Sequence, residues 1–134
     1  STSAQYADLA ERFEADAQYT PGTVMALGGA KEITQANEDL SEDVFGVIST
    51  KAAYLMNAGA GDSDTHPPVA MSGRCPVRVI GTVDKGDRLV AAGNGLARAA
   101  TRAEANNFNV IGRSLETKYS DEEGTIEAIV AIVN

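Results

Sequence analysis

Glycine and its usual turn partners interrupt this chain so often that few apolar runs outgrow a short strand. Pro21-Gly22, Gly28-Gly29, Ser72-Gly73, Asp84-Lys85-Gly86-Asp87 and Gly93-Asn94-Gly95 each supply turn geometry. Between them lie β-branched or alanine-rich pieces of strand length: residues 23–27, 31–35, 43–49, 52–56, 69–71, 76–83, 88–91, 95–99 and 110–116. Helices of ordinary length do not fit between such stops. The spacing therefore predicts a mainly β protein, a compact barrel or sandwich of short strands. The closing stretch, residues 124–133, is apolar at Ile126, Ala128, Val130 and Ile132 and partly so between them. That pattern predicts a central strand, buried on both faces.

Three segments depart from this pattern. Tyr6, Leu9, Ala10 and Phe13 are spaced by three and four residues, which predicts a short N-terminal helix within residues 1–17, ahead of a β-rich body over residues 18–134. A second short helix is expected in polar residues 101–107. Residues 57–68 hold Gly59, Gly61, Pro67 and Pro68 and read as a long surface loop.

Composition narrows the function classes. A chain of 134 residues fits one domain with a core of its own, needing no disulfide or metal to hold it. The net charge of -8 repels phosphate backbones and anionic headgroups, so neither nucleic acid nor membrane insertion is expected. Tryptophan is absent and aromatic content is 5%, which leaves little for a stacking site. Cys75 is the sole cysteine, so no intrachain disulfide forms and a buried thiol is expected. No apolar run approaches the roughly 20 residues that span a bilayer. The chain opens on Ser1 rather than Met, and is expected to be a piece of a longer or processed protein.

Several motifs follow one another in a fixed order. Tyr6-Ala7-Asp8-Leu9-Ala10-Glu11-Arg12-Phe13 comes first, then Tyr19-Thr20-Pro21-Gly22-Thr23-Val24 with Leu27-Gly28-Gly29. Val44-Phe45-Gly46-Val47-Ile48-Ser49-Thr50 follows, running into Ala53-Tyr54-Leu55-Met56-Asn57. Gly73-Arg74-Cys75-Pro76-Val77, Val83-Asp84-Lys85-Gly86-Asp87, Ile111-Gly112-Arg113-Ser114-Leu115-Glu116 and Ile126-Glu127-Ala128-Ile129-Val130 complete the set. In this order they resemble the C-terminal domains of tail-fibre and appendage proteins of tailed bacteriophages. The resemblance implies a structural virion protein on the tail appendage. It implies a homotrimer, joined to the rest of the phage fibre and able to contact a host surface receptor. Some similar domains are intramolecular chaperones that cut themselves from the fibre after trimerisation. A capsid decoration or head-fibre protein is a further alternative with the same β-rich style.

Candidate residues follow from these readings. Three copies of the N-terminal segment meeting on an axis would bury Tyr6, Leu9 and Phe13. Self-cleavage would use Ser1, a hydroxyl residue able to follow a scissile bond, with Asp8 and Glu11 as nearby carboxylates for acid–base work. Solvated charge on a helix face is the plainer account of the two carboxylates. Asp62, Asp64 and His66 alternate in the long loop and are candidates for receptor contact. Oxygen and imidazole ligands could hold a metal there, but their spacing matches no known cage, and no metal or other cofactor is expected. Conventional catalysis lacks its motifs. The sole histidine, His66, has no Gly-x-Ser-x-Gly elbow to serve. Ala26-Leu27-Gly28-Gly29-Ala30-Lys31 lacks the Ser or Thr after lysine that a phosphate loop needs.

Overall fold

The computed structural model describes residues 8–132 as ten strands joined by turns. They are β1 (Asp8–Arg12), β2 (Val24–Leu27), β3 (Ile33–Gln35), β4 (Val44–Ile48), β5 (Tyr54–Met56), β6 (Pro68–Val79), β7 (Arg88–Gly93), β8 (Leu96–Ala99), β9 (Gly112–Ser114) and β10 (Gly124–Ala131). Pairing runs β6–β10–β9–β7–β8 and returns to β6, which closes a five-stranded barrel. Every contact in the ring is antiparallel except β6 with β8. Closure leaves no sheet edge in the barrel to recruit a stray strand.

The twelve-residue β6 organises the rest. Its C-terminal half belongs to the barrel. Its N-terminal half extends beyond it, pairing with β4 on one edge and β1 on the other. From β4 the sheet continues through β2 to β3, and β5 adds to β1 in parallel. Ser72-Gly73 was expected to end a strand, but the chain passes through it. A register shift opposite Leu9 and Ala10 and a φ of 105° at Gly73 bend the strand without breaking it. Pro76 is tolerated inside β6 although β10 pairs alongside it: nitrogens of its parity, such as that of Arg78, point away from β10, toward the edge that β4 has already left.

Two apolar clusters result. The larger fills the barrel with Val77, Val79, Val83, Leu89, Ile111, Ile126 and Val130 and reaches Val24 and Val47. The smaller joins Met25, Ile33, Phe45 and Val69 beneath Phe13 and Tyr19. Two glycines mark where backbones meet. A Cβ on Gly112 would lie 2.0 Å from the carbonyl oxygen of Ile129, and one on Gly46 2.7 Å from that of Ala70.

The expected N-terminal helix is not present in the described residues. Residues 8–12 form β1, held between β5 and β6. Strand pairing on both edges outweighs a helical spacing spread over few residues, which is too short to support a helix alone. Phe13, just past the end of β1, packs edge-on against Phe45, ring centroids 5.1 Å apart, while Leu9 is 37% exposed. Tyr6 lies outside the described residues. Residues 101–107 form turns, not a helix: Thr101 and Glu104 make the reciprocal bonds of a helix start, but Asn106 Oδ1 accepts from the backbone N–H of Phe108 and Asn109 and turns the chain away. β10 is central by pairing, yet only Ile126, Ala128 and Val130 are buried; Ile129 faces outward.

Candidate functional site

Asp8 is the first residue of β1 and is 3% exposed. Alternation along the strand sends Asp8 and Ala10 inward and Leu9 and Glu11 to the opposite face. The proposed pairing of Asp8 with Glu11 is thereby removed: carboxylates three residues apart share a helix face but not a strand face. Ser1 lies outside the described residues.

What meets Asp8 instead is Ser49, which follows the fully buried β4. Its hydroxyl donates to Asp8 Oδ2 at 2.6 Å in a buried hydrogen bond. Burial pushes the Asp8 carboxyl above the usual carboxylate range, and the bond from Ser49 partly opposes that rise. The pair sits on the wall of a cleft of about 310 Å³, where Lys51, Arg74, Gly22 and Glu127 also converge. Arg74 is bridged to Glu127 at 3.5 Å. The Cys75 thiol is buried, and burial followed by the negative charges of Asp8 and Glu127 pushes it up to about 12, so it stays protonated. A carboxyl that holds a proton more readily than usual, hydrogen-bonded to a hydroxyl on a cleft wall, is the kind of group that exchanges protons in acid–base chemistry. Ser49 and Arg74 were not legible as partners of Asp8. Pairing through β6 brings them together from 41 and 66 positions away.

The long loop is strapped down. Asn57 enters it at φ 56°, and a single 3-10 turn spans Ala58–Ala60. Asp62 Oδ1 accepts from the backbone N–H of Asp64 at 3.0 Å and of Thr65 at 3.2 Å. These bonds hold the Asp62 carboxyl below its ordinary range. Arg12 Nη1 donates to Ser63 Oγ at 3.1 Å and to the His66 carbonyl at 2.7 Å. Ala15 N donates to the Thr65 carbonyl at 3.0 Å. His66 packs over Gly61, where a Cβ would lie 2.3 Å from its Nδ1, and that nitrogen is 2.9 Å from Thr65 Oγ1. Of the three candidates, Asp62 serves the turn, His66 is half-buried, and Asp64 is exposed. Among the described residues, no three His, Cys, Asp or Glu side chains gather as a metal site would require.

No protein-family model and no curated protein matches this chain. Solved structures do. The C-terminal fragment of bacteriophage phi29 gene product 12 superposes with a TM-score of 0.64 at 20% identity, covering 94% of this chain and 100% of the fragment. The pre-mature form of phi29 gene product 12 superposes with a TM-score of 0.66 at 18% identity, covering 96% of this chain and 22% of that one. This chain thus spans about a fifth of the longer protein. At such identities the likeness is one of fold.

Proposed function

We propose that this chain is the C-terminal domain of a bacteriophage tail-fibre or appendage protein, a structural virion part that promotes trimeric assembly of the fibre. The observation that carries the reading is the end-to-end match to a C-terminal fragment of a phage protein. It stands beside the ordered motifs, which cover nearly the whole sequence. A strapped loop with Asp64 at its surface is a suitable place for host-receptor contact. The test is a fusion of the domain to its own upstream fibre segment, compared with the segment alone. Trimers by light scattering in the fusion, and aggregates or monomers without the domain, support the reading. Equal assembly in both sinks it.

The buried Asp8–Ser49 pair favours one alternative, an autoproteolytic chaperone domain. It sets a buried carboxyl, its pKa raised by burial, seven positions after Ser1 on the wall of a cleft of about 310 Å³. Mass spectrometry of the longer chain decides. A break before Ser1 that Asp8→Asn abolishes and Glu11→Ala spares supports cleavage at this pair. An uncut chain that trimerises rules it out.

A further inference from the structure

The outer wall of the barrel carries a row of side chains that neither the cleft nor the loop uses. Register sets Arg88 on β7 opposite Arg113 on β9, and Arg113 opposite Ile129 on β10. Like charges directly opposite on a sheet destabilise it. Lys85 adds a third cation at the same place. Among the described residues none of the three forms an ion pair, although the chain has 19 acidic residues to 11 basic ones. Arg113 is held in position by its Nε–H, which donates to the Gly86 carbonyl at 2.9 Å. Beneath these cations runs an open groove of about 510 Å³ with an apolar floor of Val110, Leu115, Ile129 and Ala131. Ile129 is 40% exposed there. An apolar floor under a cationic rim suits an apolar side chain followed by carboxylates.

The chain itself presents such a segment. Tyr119 is 88% exposed, and Ser120-Asp121-Glu122 follow it at the surface. The turn is rigid. Lys118 Nζ donates to the carbonyls of Gly81 at 2.9 Å, of Ser120 at 2.6 Å and of Glu122, and Lys118 N donates to the Val83 carbonyl at 2.8 Å. An exposed tyrosine on a tied-down backbone needs no ordering of its loop on docking, and large aromatic side chains of this kind anchor interfaces.

We propose that Tyr119 of one copy seats in the groove between β9 and β10 of the next, with Asp121 and Glu122 facing Arg88 and Arg113. Knob and groove are different patches of one chain, so the contact is head-to-tail, and a three-fold rotation closes it as a ring. The inference rests on the trimeric reading and gives it an interface.

Light scattering on the 134-residue chain tests both. The expected mass is three times 13.9 kDa. Tyr119→Ala and Ile129→Glu each raise the dissociation constant at least about thirty-fold, the lower bound for an anchoring side chain. Arg113→Glu weakens the trimer, and adding Asp121→Arg restores it. Unchanged melting of a dilute, monomeric sample shows that each variant still folds. A trimer that Tyr119→Ala and Ile129→Glu leave intact overturns this interface and spares the trimeric reading, the groove then belonging to another partner. A monomeric parent chain overturns both.

Discussion

Asp8 shows most clearly that one residue here is not placed for stability. Its carboxyl is buried on β1 and its folded pKa is raised above the ordinary value, with burial the leading cause. A group of that kind contributes stability that is fully present below its unfolded pKa and is lost as pH rises through the folded one. Asp8→Asn keeps an acceptor for the Ser49 hydroxyl and removes the titration. Urea unfolding should show the variant matching the parent at about pH 3 and gaining on it as pH climbs past the ordinary carboxylate range. A constant difference across that range would mean that Asp8 is not the group responsible. Glu104 titrates in the opposite sense. Arg98 holds it down to about 2 and also lowers Asp39, so this triad supports the fold above the usual carboxylate pKa values and fails as pH falls toward 2. Glycines make the other residue-level demand. Gly112→Ala would drive a methyl group to 2.0 Å from the Ile129 carbonyl. Because the clash is with backbone, the expected cost is about 3 kcal/mol, read as a fall in the urea midpoint at unchanged slope.

The elements were legible in the sequence where local chemistry alone decided them. β4 shows a β-branched run between polar turns, and the β7–β8 hairpin is announced by Gly93-Asn94-Gly95, all three at positive φ. β1 was misread because Leu9, Ala10 and Phe13 fit a helical period, while the partners that make it a strand lie more than 40 residues away. β6 was read as two strands because Ser72-Gly73 is a turn by composition. Only its pairing with β1 and β10 shows that the chain bends there and continues. The cleft was invisible for the same reason: Asp8 alone was picked out, and its partners arrive through β4 and β6. The loop of residues 57–68 was found, but not its fastening. Arg12 is the strap, and its Nε is buried without a partner. Arg12→Ala should free the segment from Ser63 to His66 and cost about 1–3 kcal/mol in lost hydrogen bonds to a charged group. Hydrogen exchange should quicken at Thr65 and His66 while barrel amides keep their protection. Loss of protection throughout would mean that the strap and barrel unfold as one unit.

At the scale of the whole molecule, the order of pairing matters more than any single contact. The barrel closes only when β10 enters between β6 and β9, and β10 is its last strand in the sequence. Ile126, Ala128 and Val130 then enter a core that β6, β7 and β9 have only partly assembled. Burying Ile126 and Val130 alone is worth about 1.5–3 kcal/mol each, a large share of the 5–15 kcal/mol that keeps a typical domain folded. Without β10, moreover, β6 and β9 keep open edges. Folding of this domain therefore waits until residue 131 is available. A domain with that property at the C-terminal end of a fibre would delay assembly until its chain had been made through to that point. The expectation is specific. A chain ending at Glu123 should lack the cooperative urea transition of the parent. A separate peptide of residues 120–134 should restore it by filling the vacant place, as judged by circular dichroism and by protection of β6 and β9 amides. If the shortened chain folds cooperatively on its own, barrel closure is not the deciding step. The proposed link between complete synthesis and fibre assembly then fails, while the Tyr119 interface remains open to its own test.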